Sequence, residues 1–372
     1  MKRHFIFFIN AIYLKAYETS MKNNRKIKTI VSVLTKGGIT GIIAFGFVPF
    51  LFTYESSNLL IRLIEGLIIG LLFGLAENIF FTNRLKKLSF SALLIIRTFV
   101  YSIIWFWGSL IMVLILVYYG GLSILDYGSP KFYDYITDIH PQLGLFPAVF
   151  ISFTISYLWQ INSMLGKGVL VKYIRGKYHA PISEDRIFMF LDLSSATTIA
   201  EKLGAQKYSQ FLKDFFYDID EVITDTKGEI FQYEGDGIIV LWTVKNGTNN
   251  NNCVEVFFKA KEKLSGLKED YIKKYGLSPE YKAGLHYGEV VITEIGDSKK
   301  EIAYHGDAIN TTARICSSCN EVSRKLLISS ALLQKLKLQN KYTIETMGGF
   351  KLKGKEKVIE LFSIDILTDK VL

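Results

Sequence analysis

The hydrophobic pattern divides the chain into two halves. Before residue 165 the sequence consists largely of long uncharged apolar runs, and a membrane-spanning helix needs about 20 such residues. Four runs approach or exceed this length: Gly38–Tyr54, Leu59–Phe81, Leu93–Tyr118 and Leu143–Leu165. An earlier apolar patch, Phe5–Leu14, is too short to span and lacks the small-residue cleavage site of a signal peptide. Residues 1–165 are therefore predicted to form a membrane domain of four helices.

The pattern after Arg186 is that of alternating short strands and amphipathic helices. RIFMFLDL predicts a buried strand, and SSATTIAEKLG predicts a helix that ends at Gly204. EIFQYEGDGIIVLW predicts a hairpin with its turn at Glu234–Gly237. A polar surface loop (246–252), a helix (253–275), two strands (281–287 and 289–295), a loop, a helix (310–318) and closing β-structure are expected to follow. The predicted organisation is a linker at 166–185, an α/β domain at 186–364 and a tail at 365–372.

Composition and charge narrow the class of protein. Lys and Arg number 44 against 35 Asp and Glu, a formal charge of +9, yet charged residues are only 21% of the chain. Hydrophobic residues are 49% and the mean hydropathy is +0.24, which excludes a disordered chain and disfavours a fully soluble one. Phe and Tyr in long uncharged runs fit a membrane protein with basic anchors better than a nucleic-acid binder, so no nucleic-acid partner is expected. Three cysteines are too few for the disulfide framework of a small secreted protein, so they indicate a reducing compartment.

The loop charges predict the orientation in the membrane. Residues 1–36 hold eight Lys or Arg against one acid, Glu18. The connection after the second run and the segment after the fourth are also basic, whereas the other two connections are acidic or neutral. Four spans with both termini inside place every basic segment on the cytoplasmic side, so we predict a multi-pass plasma-membrane protein with a cytoplasmic C-terminal domain. The basic linker at 166–185 is interpreted as an anchor for anionic membrane lipid or, alternatively, as a coupling element.

Four ionisable residues interrupt the apolar runs: Arg62, Glu65, Glu77 and Arg97. Charged groups at membrane depth are costly and often functional. Counting the rise per residue, Glu77 and Arg97 fall at similar depth, so they either pair with each other or extend separately to the membrane interface.

Two aspartates carry the candidate chemistry of the second half. Asp192 interrupts a buried strand, where a charge is costly unless it is paired or binds a metal. Asp236 lies at a predicted hairpin tip between Gly235 and Gly237, so the two carboxylates meet if their strands are adjacent. Such a pair suits two hard divalent cations that hold a triphosphate. The alternative is one turn aspartate and one edge-strand acid.

A third motif, HGDAINTTARI, places Asn310 and Arg314 four residues apart on one face of a predicted helix. An Arg at such a position can neutralise developing phosphate charge, and an Asn can orient a ribose. The alternative is a helix-capping polar residue and a solvated Arg.

Together these motifs make residues 186–364 resemble the class III nucleotidyl cyclase catalytic domain. The resemblance rests on FLDLSSATTIAEKLG, FQYEGDG, AGLHYGEV, HGDAINTTAR and KLKGKEK in the family's order and spacing. It implies a palm-like, ferredoxin-like α/β (α+β) domain that works as a head-to-tail homodimer. It also implies conversion of a nucleoside triphosphate to a 3′,5′-cyclic monophosphate and pyrophosphate with two Mg²⁺ or Mn²⁺ ions.

The resemblance also implies individual roles. Asp192 and Asp236 would hold the metals, Asn310 would position the ribose, Arg314 would stabilise the transition state, and Lys353, or less well Lys355, would bind the triphosphate. Ala196-Thr197 stands where the family usually has Phe-Thr, which leaves Thr197 as a substrate-side residue. The metal aspartates, the ribose Asn and the transition-state Arg are all present. An active cyclase is therefore favoured over a cyclase-like regulatory domain that binds a nucleotide or a partner without turnover.

The sequence does not decide which nucleotide base the site selects. Adenylyl-type members usually have Lys, and guanylyl-type members Glu, where this chain has Gln232; the partner position reads Ala303. Gln232 both donates and accepts hydrogen bonds and so suits either base. ATP is favoured on family frequency, with GTP as the alternative. Cys316 and Cys319 have the spacing of a zinc half-site without a second pair, and a helix-lining dithiol is the favoured interpretation.

Overall fold

The chain forms two compact units, Met1–Met164 and Leu165–Leu372. The computed structural model describes residues 34, 38, 59–79, 81, 88–119, 141–166, 169–338, 342–351 and 358–367. The predicted run Gly38–Tyr54 (beyond Gly38), the basic N-terminal segment, most of the connections that predict the orientation, and the end of the tail lie outside these residues.

The described part of the first unit contains three long apolar helices, α1 (Leu59–Ile79), α2 (Phe90–Tyr119) and α3 (Pro141–Leu165). Large side chains from all three form one buried cluster, among them Phe73, Tyr101, Trp105 and Ile155. The rings of Phe73 and Tyr101 stack with their centroids 4.4 Å apart. The helices also carry exposed apolar side chains, including Leu67, Ile95, Phe99 and Phe150. An apolar surface around a packed interior is typical of a membrane-embedded bundle.

The predicted four-span domain is not supported in that form. Among the described residues one helix segment, Phe90–Gly108, is long and apolar enough to cross a membrane. The apolar stretches Leu67–Glu77 and Val149–Leu165 are shorter than the roughly 20 residues that a crossing needs. The helices predicted at 59–81 and 143–165 therefore exist, but they do not meet the length and composition of a span within the part described.

Glu77 and Arg97 form an ion pair. This confirms the predicted pairing and excludes the alternative that each side chain extends separately to the membrane interface. Arg97 Nε lies 3.2 Å from Glu77 Oε1, and both side chains are buried. Tyr101 donates its hydroxyl to the same carboxylate at 2.5 Å, and Arg97 Nη1 donates to Gln160 at 3.2 Å. The guanidinium also lies 5.0 Å from the centre of the Phe81 ring. One polar network thus connects α1, α2 and α3.

Breaking this pair on one side should cost more stability than neutralising both of its charges. Arg97→Gln leaves the Glu77 carboxylate buried without its counter-charge, which costs about 3 kcal/mol or more. The double variant Glu77→Gln/Arg97→Gln has no buried charge and should recover most of that loss. The measurement is the thermal midpoint of the full-length protein in detergent. A double variant that is less stable than Arg97→Gln would show that the pair is not coupled.

The second unit is built around one eight-stranded mixed sheet. Its strands are β1 (Ile182–Leu193), β2 (Glu229–Glu234), β3 (Gly237–Thr243), β4 (Tyr281–Ile295), β5 (Glu301–His305), β6 (Leu326–Ser329), β7 (Tyr342–Phe350) and β8 (Ile359–Ile366). The order is β2-β3-β1-β4-β6-β8-β7, and β5 pairs with the far end of β4. All pairs are antiparallel except β4 with β6. The predicted strand RIFMFLDL and the hairpin with its turn after Glu234 are confirmed.

Helices cover both faces of this sheet. They are α4 (Val169–Ile174), α5 (Ala196–Leu203), α6 (Ala205–Asp225), α7 (Val244–Thr248), α8 (Asn252–Gly266), α9 (Lys268–Tyr275), α10 (Asp307–Glu321) and α11 (Ser330–Leu333). Apolar stripes of α6 and α8, such as Phe211, Phe215 and Phe257, form the main core with one face of β1 and β3. On the opposite face α10 packs against β4 and β1.

Four local predictions for this unit are wrong. The tract Asn246–Asn252 is not a surface loop, because helical turns run through it and bury Gly247, Asn251 and Asn252. Asn251 donates to the carbonyl of Lys337 at 2.8 Å, a long-range contact that local composition does not reveal. The strands predicted at 281–287 and 289–295 are one strand, and the helix predicted at 253–275 is two. The predicted loop after β4 contains β5.

The end of the predicted linker belongs to the sheet unit. Strand β1 begins at Ile182, and Tyr178 is buried against Phe188, Ile239 and Val290 on the face that also carries Asp192. The Tyr178 hydroxyl accepts from Arg186, and its carbonyl accepts from the Glu294 backbone. Lys172 on α4 pairs with Glu229 at the start of β2 at 2.8 Å. Basic residues of this segment therefore contact the sheet unit itself.

Candidate active site

The pairing of β1 with β3 brings Asp192 and Asp236 together. Asp192 lies directly opposite Gly237 in the register, and the Leu193 N–H donates to the Asp236 carbonyl at 3.4 Å. Gly235 adopts φ +61°, which lets the chain turn tightly before Asp236. A Cβ on Gly237 would lie 3.4 Å from Asp192 Oδ1, so the absence of a side chain there leaves the carboxylate uncrowded. The sequence-based expectation that these two acids share one end of adjacent strands is met.

The electrostatics of Asp192 reflect this crowding of acids. Burial and the neighbouring Asp236 carboxylate raise the pKa of Asp192, while the ammonium of Lys282 opposes the rise. Lys282 Nζ lies 3.3 Å from Asp192 Oδ2. Because Lys282 only partly offsets the repulsion between the two carboxylates, an added positive charge would stabilise their ionised forms.

The donor chemistry fits divalent cations of the Mg²⁺ and Mn²⁺ class, which prefer carboxylate oxygen. No cluster of three or more His, Cys, Asp or Glu that could hold a metal occurs in the described part of the chain. Asp192 and Asp236 therefore offer a half-shell of oxygen ligands that a polyphosphate and water could complete.

Asn310 and Arg314 lie one turn apart on α10, with Asn310 exposed and Arg314 half-buried. The position of α10 depends on Gly284 of β4, because a Cβ there would lie 2.3 Å from the Cys316 backbone nitrogen. Helix α10 can therefore lie directly on the sheet. Asn310 is near the N-terminal end of this helix, which lies on the face of the sheet that carries Asp192.

The two candidate base-selecting residues flank an aromatic pair. Gln232 is exposed on β2 directly after Phe231, and Ala303 is half-buried on β5 directly before Tyr304. The rings of Phe231 and Tyr304 are 4.9 Å apart, so β2 and β5 approach each other at residues that adjoin the two candidate positions, which are 71 residues apart in the sequence. Thr197 is exposed in the first turn of α5, after Ser195. Lys353 and Lys355 lie outside the described residues.

The cysteine pair faces the sheet. Cys316 and Cys319 are buried on α10, and their thiols donate to the carbonyls of Lys282 and Ala283 of β4. Burial raises the pKa of the Cys319 thiol to about 12 and raises that of Cys316 as well. Protonated thiols in this environment are packing groups, as the helix-lining interpretation expected.

Sequence reasoning missed Lys282. It lies two residues before Gly284, at the start of the strand that contains the AGLHYGEV motif. No feature of the neighbouring sequence distinguishes it from a solvated lysine at the start of a strand. The signal that finds it is the β1–β4 register, which sets Lys282 opposite Asp192.

Comparisons with known proteins place the second unit in a known family. The family described as the adenylate and guanylate cyclase catalytic domain matches residues 180–365. Adenylate cyclase 2 of Rhizobium meliloti (strain 1021) is 30% identical over 210 residues, 56% of this chain and 58% of that protein. Adenylate cyclase 1 of the same organism is 23% identical over 213 residues, 56% of this chain and 31% of that protein. The chain thus spans less than two thirds of the length of these relatives.

Among solved structures, a bacterial light-regulated adenylyl cyclase is similar with a TM-score of 0.50 and 20% identity. The similarity covers 59% of this chain and 64% of that one. At this level of identity the likeness shows the fold alone.

Proposed function

The chain belongs to the adenylate and guanylate cyclase catalytic domain family, and on that basis we propose that it is a membrane-attached nucleotidyl cyclase. Its substrate is ATP, and its products are 3′,5′-cyclic AMP and pyrophosphate. The observation that carries the proposal is the pair Asp192 and Asp236, held side by side at the ends of β1 and β2–β3. The naming of the similar Rhizobium meliloti proteins as adenylate cyclases supports ATP over GTP.

The two aspartates would hold a pair of divalent cations, Mg²⁺ or Mn²⁺. Bound there, the cations supply positive charge to the attacking 3′-hydroxyl and to the triphosphate. Asp192 and Asp236 would determine the position of the cations, because Asp192 is in a central strand and Asp236 is in a tight turn. Arg314 neutralises charge that develops on the phosphates as the bond to pyrophosphate breaks, and Asn310 orients the ribose. Lys353 is assigned to the triphosphate by its motif.

The active unit we propose is a homodimer. The two aspartates come from one chain, and Asn310 and Arg314 of the partner subunit complete the same site. Asn310 is exposed on α10, as a residue that reaches into a neighbouring chain must be. A closed twofold arrangement of this kind produces two equivalent sites.

The first unit we propose to be a multi-pass membrane anchor with both termini and the cyclase domain in the cytoplasm. The apolar segment Phe90–Gly108 and the exposed apolar side chains of α1, α2 and α3 support contact with membrane lipid. The polar network of Glu77, Arg97, Tyr101 and Gln160 supports a bundle rather than isolated helices, because its charges are satisfied only between helices.

Purified full-length protein with Mn²⁺ or Mg²⁺ should convert ATP to cyclic AMP faster than it converts GTP to cyclic GMP. Products and pyrophosphate are measured by chromatography. The double variant Gln232→Lys/Ala303→Asp should raise the ATP-to-GTP rate ratio about tenfold, since these positions flank the same aromatic pair and would contact the base. No cyclic nucleotide from either substrate would contradict the proposed function. An unchanged ratio would show that these positions do not read the base.

A further inference from the structure

Among the described residues, Lys282 is a charged group that contacts a candidate metal aspartate and has no part in the proposed reaction. It faces Asp192 directly across the β1–β4 register, with Nζ 3.3 Å from Oδ2. Its side chain is only 12% exposed, and that of Asp192 is 30% exposed. A lysine stem this buried holds its ammonium in place, unlike a surface lysine that samples many rotamers.

The pairing is specific to Lys282. The nearby Lys325 also lies beside the β1 end, but its ammonium pairs with Glu280 at 3.0 Å and contacts the Ser194 hydroxyl at 3.4 Å. Lys325 is also more than half exposed. Within the part of the chain that the structure describes, Lys282 and Lys325 both contact residues at the end of β1, and Lys282 is the one that forms an ion pair with Asp192.

An ammonium and a divalent cation compete for the same carboxylate oxygen. A bound Mg²⁺ or Mn²⁺ stands about 2.1 Å from its carboxylate ligand. With Lys282 retained at Oδ2, the ion and the ammonium would be separated by less than about 6 Å, where two positive charges in a half-buried site repel strongly. Without the ion, the same ammonium offsets the repulsion between Asp192 and Asp236.

From this geometry we infer that Lys282 is a positioning residue that occupies the place of a cation at Asp192 and sets the divalent-metal concentration at which the site fills. The inference rests on the proposed function for the meaning of the metal site, but it concerns metal binding itself. Lys282 keeps the two carboxylates folded side by side when the ions are absent, and its charge raises the concentration of ion needed to bind.

The test is direct Mn²⁺ binding to the full-length protein in detergent, without nucleotide, followed by the electron paramagnetic resonance signal of free Mn²⁺. Lys282→Met keeps a long apolar stem and removes the charge, and it should lower the dissociation constant for Mn²⁺ about tenfold. Lys282→Gln should do the same, and it serves if the Met variant does not fold. Lys282→Arg retains the charge and should stay within about twofold of wild type.

Lys325→Met is the matched control, since it removes a neighbouring lysine that is not paired with Asp192; it should leave the dissociation constant unchanged. Asp192→Asn should weaken Mn²⁺ binding and so assign the measured ion to this site. Unchanged or weaker Mn²⁺ binding in folded Lys282→Met and Lys282→Gln would overturn the inference, as would equal binding by wild type and Asp192→Asn. Absence of cyclase activity with the expected Mn²⁺ shifts would count against the proposed function and leave the inference standing.

Discussion

Asp236→Asn should lower cyclase activity by about 100-fold or more while the protein stays folded. The substitution removes one of the two negative charges that hold the cations, and a neutral amide is a weak ligand for a hard ion. Structure should be preserved because Asp236 lies in a turn, where its backbone carbonyl, and not its side chain, accepts from Leu193. Initial rates at saturating Mn²⁺ and ATP measure the effect.

The matched control for this variant is Asp297→Asn, which removes an exposed aspartate from the loop between β4 and β5. It should retain wild-type activity. Far-ultraviolet circular dichroism and the thermal midpoint establish that both variants are folded. A folded Asp236→Asn protein with more than about a tenth of wild-type activity would contradict the metal assignment.

Co-expression of two inactive variants should restore about one quarter of wild-type activity. Asp192→Ala removes the metal side of a site, and Arg314→Ala removes the residue that we assign to the partner subunit's side. In a mixed dimer one site contains both substitutions and the other site contains neither. Random pairing makes half of the dimers mixed, and half of their sites are intact, provided that the two sites act independently.

Two affinity tags, one on each variant, allow the mixed dimers to be isolated and their amount to be measured. Each variant alone should have less than about a hundredth of wild-type activity. Isolated mixed dimers that are as inactive as the single variants would mean that Asp192 and Arg314 act within one chain. The shared-site arrangement would then be wrong, whereas the metal assignment tested by Asp236→Asn would be unaffected.

The sequence by itself determined the division into an apolar half and an α/β half, the strand that carries Asp192 and the hairpin that carries Asp236. These features are local: hydrophobic periodicity marks each element, and Gly235 and Gly237 mark the turn. Motif order and spacing then led to the family, and the proposed roles of Asn310 and Arg314 follow from that resemblance.

Tertiary structure decided the features that depend on contacts between distant segments. Lys282 pairs with Asp192 across 90 residues through strand register, and a strand's composition does not specify which residue it will face. Asn251 is buried through its contact with Lys337, although an asparagine-rich tract has the composition of a loop. Glu77 and Arg97 could be placed at one depth from the sequence, but Tyr101 and Gln160 complete their network only because three helices pack together. In each case a buried polar or charged group is stabilised by a partner that only the folded chain brings within reach.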